Sequence, residues 1–349
     1  MEAVKERAGT APAEAANPTP PGLRQAMQDA YMVPLWESPT AHKLDVAREQ
    51  AHLWPWHETR PIMMATAEVR SPKVVERRVI SLVNPKSKSA EDEATAGVLN
   101  ATLQMLLPGE RARPHRHSMN ALRFVLEGNG GETIVDGKHC AMTPGDLIIT
   151  PAWCWHEHVS SGTAPTIWLD VLDVALHLSL GTDDFQPGPV RDLRPQCDDA
   201  AFAAVGVMPC IDADERSYSP YFRYPWTDAV TALEAAPQDA DGSRRARYVN
   251  PLSGGPVMSL IDCTLVELEA AKPTRAFRSS ASTVCCVVEG GGASEIGGKT
   301  INWEPKDVFT VPQGAWVSHR ASADNARIFM VSNREVYRRL GLLTEAWRD

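Results

Sequence analysis

An internal repeat constrains this 349-residue chain more than any other feature of its sequence. The segment ALRFVLEGNGGETIVDGKHCAMTPGDLIITPAWCWHEH (121–158) aligns with TVCCVVEGGGASEIGGKTINWEPKDVFTVPQGAWVSHR (283–320). The coinciding positions are Glu127–Gly128 with Glu289–Gly290, Gly137 with Gly298, Asp146 with Asp307, Pro151 with Pro312, and His158 with His319. Both copies consist of short apolar or alternating runs between turn residues, which is typical of β-strands. The repeat therefore predicts two copies of one small β-barrel.

The rest of the chain is divided around these two copies. We predict an all-β protein with short N-terminal helices, over Gly22–Tyr31 and Asp45–Leu53, and an amphipathic C-terminal helix within 332–349. The predicted divisions are a disordered arm at 1–21, a helical or irregular segment at 22–74, the first barrel at 75–178, a connector at 179–247, and the second barrel with the C-terminal helix at 248–349.

Composition excludes several classes of protein. The net charge of −9 argues against a nucleic-acid binder, which usually carries a basic face. No apolar run approaches the ~20 residues that a membrane helix requires, and the N-terminal stretch lacks the apolar core of a secretory signal. The seven cysteines are scattered and form no CxxC pair, as expected in a reducing compartment. We therefore expect a cytoplasmic protein.

Two histidine-rich stretches, PHRH (114–117) and HEH (156–158), predict a metal site in the first barrel. His115 and His117 are two residues apart, so on a strand they project from the same face. His156 follows the turn-bounded strand GDLIITP and returns to the same mouth of the barrel. Three neutral imidazoles would leave positions on the metal open for substrate and for water or O2. The competing interpretation of an isolated HxH is an exposed pair of histidines.

The glycines around these histidines carry a family resemblance. The spacing Gly109, five residues, His115, x, His117, ten residues, Gly128 resembles the first cupin motif, and Gly145, five residues, Pro151, four residues, His156 resembles the second. A typical cupin has a Glu ligand where this chain has Ala121. A cupin with three His ligands and no carboxylate resembles the gentisate and salicylate 1,2-dioxygenase family. The segments RFVLEG, WLDVLD and YVNPLSGGPVM add to this resemblance.

The resemblance implies a fold and an activity. Members are bicupins that use Fe(II) and O2 to cleave an aromatic ring between its carboxyl-bearing and hydroxyl-bearing carbons. The implied partners are therefore a small aromatic acid and O2, with neither nucleic acid nor membrane, and the implied assembly is a homotetramer.

Side chains near the histidines would hold the substrate. Arg123 lies six residues after His117, on the same face of a continued strand, and its planar fork suits a carboxylate. The resemblance gives Arg123 the substrate carboxylate and makes Gln104 a further substrate contact. It also places an active-site arginine in ERRVISLVNP, which we assign to Arg78 while leaving Arg77 open.

His158 is expected to act in catalysis and not as a ligand. It lies two residues from His156, so a role as fourth ligand is open on geometry alone. The resemblance gives the matching histidine a hydrogen-bonding and acid–base role at the substrate hydroxyl, for which an imidazole is suited. Asp170 matches the acid that supports this histidine, and Asp173 is the alternative. The predicted catalytic residues are thus His158, Arg123 and Asp170.

The second copy lacks the ligands. The repeat projects His115 onto Phe277, His117 onto Ser279, His156 onto Val317 and Arg123 onto Cys285, while His158 alone keeps a histidine, His319. We therefore expect the second barrel to be metal-free.

Substrate choice is the least constrained prediction. Asn100 stands where the family often has Trp, four residues before Gln104 and on the same strand face. A smaller side chain with both a donor and an acceptor favours a polar ring substituent, as in 5-nitrosalicylate or gentisate. The alternatives are a Mn or Zn bicupin decarboxylase or isomerase, which the missing Glu disfavours, and a non-enzymatic bicupin that only binds ligands.

Overall fold

The computed structural model describes residues 19–35, 49–69, 77–87, 93–189, 193–195, 197–202, 207, 209 and 218–348. It divides the chain into two units, 1–47 and 48–349. In the first unit, α1 (Pro21–Asp29) begins with proline and confirms the first predicted helix. Most of the predicted arm, 1–18, lies outside the described residues. The predicted helix over Asp45–Leu53 is wrong for its described part, since 49–52 are not helical and β1 (Leu53–Trp54) is a strand.

The first barrel consists of two sheets. Its strands are β2 (Val79–Ser81), β3 (Asn100–Leu106), β4 (Arg111–His117), β5 (Ala121–Glu127), β6 (Gly131–Val135), β7 (Lys138–Met142), β8 (Leu147–Thr150), β9 (His156–Ser160), β10 (Thr166–Leu172), β11 (Phe185–Pro187) and β12 (Arg223–Tyr224). The sheet orders are β12-β8-β5-β10-β3-β2 and β11-β4-β9-β6-β7. Between β10 and β12 lie α3 (Val174–Leu180) and a 3₁₀ turn (Asp199–Phe202).

The second barrel repeats this plan. Its strands are β13 (Arg244–Arg247), β14 (Asp262–Leu268), β15 (Ala276–Ser279), β16 (Thr283–Glu289), β17 (Gly292–Ile296), β18 (Lys299–Trp303), β19 (Val308–Val311), β20 (Val317–Ala321), β21 (Ala326–Ser332) and β22 (Glu345–Arg348). The sheet orders are β1-β19-β16-β21-β14-β13 and β18-β17-β20-β15-β22. The predicted two-barrel, mainly β architecture is confirmed.

The C-terminal helix is shorter than its amphipathic pattern predicts. It is α5 (Arg334–Arg339), and the chain then turns to form β22 beside β15. Gly341 has φ +70°, and the N–H groups of Gly341 and Leu342 bond to carbonyls of the last turn. A glycine in this left-handed conformation commonly ends a helix, which explains the early stop.

The two halves exchange a strand. β1 pairs with β19 of the second barrel, whereas β12, from the predicted connector, pairs with β8 of the first. Each exchanged strand runs through Pro-Trp into a helix, α2 (Trp56–Val69) or α4 (Trp226–Ala235). The repeat thus extends to LWPWHE (53–58) and RYPWTD (223–228), a similarity that our sequence analysis missed.

Repeated aspartates bind the N-termini of these two helices. The backbone N–H of Trp56 bonds to Asp307 Oδ1 at 2.7 Å, and that of Trp226 bonds to Asp146 Oδ1 at 2.9 Å. A carboxylate is stabilising at a helix N-terminus. Phe124 and Phe329 stack with ring centroids 4.1 Å apart and join the first barrel to the second. Within the described residues, no helix is both long and apolar enough to cross a membrane.

Candidate metal centre

Three buried histidines converge inside the first barrel. His115 and His117 lie on β4, and His156 begins β9 directly opposite His115. Their ligand nitrogens all lie within 4.8 Å of one another. This is the only cluster of its kind in the part of the chain that the structure describes, and it contains the three histidines predicted as ligands.

The main chain orients each imidazole. Nδ1 of His115, His117 and His156 lies 2.9 Å from the carbonyl oxygen of Arg113, Met119 and Cys154, respectively. Because a carbonyl can only accept, Nδ1 is the donor in each case and Nε2 keeps its lone pair. Such bonds fix the tautomer and orientation of metal-binding histidines. His156 Nε2 is buried and has no partner among the described residues. The donor set therefore fits a metal ion.

The protein keeps these imidazoles neutral. Burial, followed by the charge of Arg77, lowers the pKa of His115 to about 3. Burial also lowers the pKa of His117 to about 4 and that of His156 well below its ordinary value. Neutral imidazole is the form that binds metal, so the ligand state is present at neutral pH without further proton loss.

Of the two candidate arginines, Arg77 lines the cavity, whereas Arg78, the one we assigned, forms an ion pair with Glu110. Arg78 is buried and donates to both oxygens of Glu110, at 2.8 and 2.9 Å. Arg77 lines the cavity over the histidines, and its Nη1 donates to His115 Nε2 at 3.0 Å. Its guanidinium also lies 5.6 Å from the ring of Phe185. The sequence left this pair of arginines open because β2 begins only at Val79, so no strand alternation fixed their faces.

A cavity of about 380 Å³ lies over the centre. Its polar lining includes the following side chains: Arg77, Ser81, Glu93, Asn100, Thr102, Gln104, His117, Arg123 and Asp170. Gln104 Nε2 is buried without a partner among the described residues. An unpaired buried donor is costly, so this amide is suited to an acceptor on a bound ligand.

Arg123 and Asp170 form a buried pair at the wall of this cavity. They lie opposite each other on β5 and β10, with Arg123 Nε 3.4 Å from Asp170 Oδ1. Thr150 Oγ1 accepts from Arg123 Nη1 at 2.6 Å, and Trp168 Nε1 donates to Asp170 Oδ2 at 3.0 Å. Burial lowers the pKa of Arg123 to about 10, which Asp170 partly offsets. Burial raises the pKa of Asp170 to about 6, which Arg123 partly offsets.

His158 is held by Thr133, and not by an aspartate as expected. Its Nδ1 lies 3.0 Å from Thr133 Oγ1 on the neighbouring strand β6. Asp173 instead accepts from the backbone N–H and the amide of Asn120, at 2.9 and 2.8 Å. Asp170 reaches His158 only through Trp168, whose ring centroid is 5.3 Å from that of His158. His158 Nε2 is buried, and no described residue bonds to it.

Asn100 lines the cavity, and only the NH2 group of its side-chain amide is available to a ligand. Its Oδ1 accepts from the N–H of Ala175 in the first turn of α3, at 3.0 Å. The side chain lines the cavity, and among described residues its Nδ2 makes no hydrogen bond. The donor half is therefore the one available to a ligand.

The second barrel has no ligands at the corresponding positions. Phe277 lies opposite Val317, as His115 lies opposite His156. Ser279 replaces His117, and Cys285 is buried where the first barrel has Arg123. His319 keeps its hydroxyl partner, since its Nδ1 lies 2.7 Å from Ser294 Oγ. The predicted residue correspondence between the copies is thus seen strand by strand.

Comparisons with known proteins agree with this geometry. The cupin domain family matches residues 102–172. The chain is 36% identical over 330 residues to gentisate 1,2-dioxygenase 1 of Aquipseudomonas alcaligenes, covering 91% of this chain and 92% of the relative. It is 33% identical to 5-aminosalicylate 1,2-dioxygenase of Comamonas sp., with 93% and 89% covered. The crystal structure of salicylate 1,2-dioxygenase from Pseudoaminobacter salicylatoxidans with gentisate superposes with a TM-score of 0.87 at 29% identity, covering 96% of each chain.

Proposed function

The chain belongs to the gentisate/salicylate 1,2-dioxygenase family of ring-cleaving enzymes, and on that premise we propose that it uses Fe(II) and O2 to cleave the C1–C2 bond of a 5-substituted salicylate. The observation that carries the proposal is the three-histidine centre with its Nε2 atoms converging beneath the cavity. Three neutral ligands without a carboxylate leave open positions for a bidentate substrate and a gas molecule. They do not suit Mn, which favours oxygen ligands.

Bound iron would supply the site at which the aromatic acid and O2 meet. Arg123, held by Asp170 and Thr150, would bind the substrate carboxylate through charge-assisted hydrogen bonds. Gln104 Nε2 would donate to a second substrate oxygen. His158, which lies beside His156, would accept the proton of the substrate hydroxyl at its unpaired Nε2. Arg77 would add a positive charge at the same wall and takes the place that we first gave to Arg78.

The proposed kind of substituent at C5 of the substrate rests on the side chain of Asn100. Its Nδ2 is a donor without a partner among described residues, so it favours an acceptor such as a nitro or hydroxyl oxygen. Gentisate and 5-nitrosalicylate carry such an oxygen. A second candidate is 5-aminosalicylate, because the carboxylate of Glu93 lines the same cavity and could accept from an amino group.

The test is anaerobic loading with Fe(II), followed by oxygen uptake on salicylate, gentisate, 5-nitrosalicylate, 5-aminosalicylate and 1-hydroxy-2-naphthoate. We expect uptake with at least one of these acids, and loss of both iron and uptake in His156→Ala. Val317→Ala, the same change at the matching position of the second barrel, is the control and should retain both. Release of CO2 without oxygen uptake would favour the decarboxylase, and iron binding without turnover would favour a binding protein.

Two further expectations complete the proposal. We place the enzyme in the cytoplasm, because the cysteines that the structure describes form no disulfide bond among themselves. We expect a homotetramer, which sedimentation velocity would test.

A further inference from the structure

The second barrel has a cavity of its own, although it lacks metal ligands. Its volume is about 360 Å³, close to that of the cavity over the metal centre. The counterparts of the metal-centre histidines line it: Phe277, Ser279, Val317 and His319. Val311, Pro312 and Met330 add further apolar wall. A cavity of this size and lining is within the range of small-molecule sites.

His319 presents a hydrogen-bond donor to this cavity. The indole N–H of Trp303 donates to Ser294 Oγ at 2.9 Å, and Ser294 Oγ lies 2.7 Å from His319 Nδ1. No other described group accepts from Ser294 Oγ, so its hydroxyl hydrogen is satisfied only if Nδ1 is the acceptor. His319 then carries its proton on Nε2. This side chain is 7% exposed, and its Nε2 has no partner in the described part of the chain.

The lining of the same cavity also contains charged side chains. Four arginines and three carboxylates line it: Arg245, Arg247, Arg275, Arg334, Asp241, Asp262 and Glu345. Arg247 donates from Nε and Nη2 to Asp262, and Arg334 does the same to Glu345. The Nη1 groups of Arg247 and Arg334 have no acceptor among the described residues. Each can donate to an anion without giving up its existing pair.

We propose that the cavity of the second barrel is a metal-independent binding site for a small carboxylic acid with a flat, apolar body. His319 Nε2–H and the Nη1 groups of Arg247 and Arg334 would donate to polar atoms of the acid, and Phe277, Val317 and Met330 would pack on its body. This site is separate from the metal centre and does not depend on the reaction proposed there.

The test uses 4-fluorobenzoate as the probe and ¹⁹F NMR as the readout, on the Fe(II)-loaded full-length protein under anaerobic conditions. Probe bound beside iron is broadened by the paramagnetic ion, whereas probe in the second barrel gives a narrower bound signal. His319→Phe removes the donor. We expect it to lower the affinity of the probe, as measured from the narrow signal, at least tenfold. Val317→Trp, which fills the cavity, should abolish it.

Two controls make the result decisive. Oxygen uptake by both variants should stay at the wild-type level, since neither residue lies at the metal centre and a folding defect would lower it. The neutral analogue 4-fluorobenzamide should bind at least tenfold more weakly than 4-fluorobenzoate. Absence of a narrow bound signal, its persistence in both variants, or equal binding of the amide would each overturn the proposal. The first of these outcomes would mean that water alone fills the cavity.

Discussion

His115 lies directly opposite His156 on two neighbouring antiparallel strands. This single cross-strand pair brings together ligands that are 41 positions apart in sequence (156 − 115 = 41). The backbone carbonyls of Arg113 and Cys154 then fix both rings, so the centre is organised before a metal arrives. A preorganised site exists only in the folded state, and metal bound there should therefore stabilise the fold.

Metal should therefore raise the stability of the protein. At a free Fe(II) or Co(II) concentration 100 times the dissociation constant, we expect a gain of about 2.7 kcal/mol in unfolding free energy. Anaerobic urea denaturation with and without metal measures it. His156→Ala should lose the gain, and Val317→Ala should keep it. An equal gain in His156→Ala would show that the metal binds elsewhere.

Arg77 and a metal compete for the same lone pair on His115. Replacing Arg77 with Gln removes a hydrogen bond of about 1 kcal/mol and a nearby positive charge, so we expect Co(II) to bind about five- to tenfold more tightly. The same variant should lose at least tenfold in kcat/KM, because the proposed substrate contact is gone. Arg77→Lys keeps the charge and should show a smaller change in metal affinity. Weaker metal binding in Arg77→Gln would contradict this account.

Arg78 should behave as a structural residue. Its ion pair with Glu110 is almost completely buried on the arginine side, and removing one partner of such a pair costs about 3 kcal/mol. We expect Arg78→Met to lower the unfolding free energy by that amount in urea titrations. Arg60→Met, which removes an exposed partner of Glu127, is the control and should cost about 1 kcal/mol or less. Equal costs for the two variants would argue against a structural role.

His319 should make stability depend on pH. Burial lowers its pKa from 6.5 to about 4, so between these values the unfolded chain binds the proton and the folded chain does not. The neutral imidazole therefore contributes fully to the free energy of unfolding above pH 6.5. As the pH falls from 6.5 toward 4, that free energy decreases by about 1.4 kcal/mol per pH unit. From pH 7 to pH 5, wild type should lose about 2 kcal/mol more than His319→Gln. His57→Gln, on the exposed surface of α2, is the control and should follow wild type.

Asn100 should control the choice of substrate. We expect Asn100→Trp to lower kcat/KM for 5-substituted acids at least tenfold relative to salicylate, because it fills the cavity and removes the Nδ2 donor. Asn100→Ala, which removes the donor without filling space, should show a smaller change. Relative oxygen-uptake rates on the acid panel measure both effects. Unchanged relative rates in Asn100→Trp would refute the role of this residue.

The cluster of three histidines was predictable because it is encoded locally. Strand periodicity places His115 and His117 on one face, and the glycine spacing fixes the return of the chain to His156. The partner of His158 was not predictable in this way. Thr133 lies on the neighbouring strand β6. The residues near His158 in sequence do not indicate that its imidazole bonds to Thr133 and not to Asp170 or Asp173. Arg77 and Arg78 are adjacent, so only the three-dimensional path of the chain ahead of β2 decides which one enters the cavity.

The exchange of strands was missed for a related reason. The similarity between LWPWHE and RYPWTD covers six residues and is offset by 170 positions (223 − 53 = 170), whereas the barrel repeat is offset by about 161. Sequence pattern alone indicates neither the pairing of β1 with β19 nor that of β12 with β8. In both places, an aspartate that is distant in sequence accepts from the first N–H of the helix that follows the exchanged strand.

This exchange makes the second barrel necessary to the first, although it lacks the three-histidine cluster. If the chain were cut between the barrels, neither fragment would hold a complete set of strands. The first would keep β1 without its partner β19, and the second would expose the edge of β19 that β1 covers. Exposed edges of this kind invite aggregation. The second barrel can therefore lack the three-histidine cluster and still be needed to complete the fold. The half that holds the three-histidine cluster thus cannot complete its own fold without the other half.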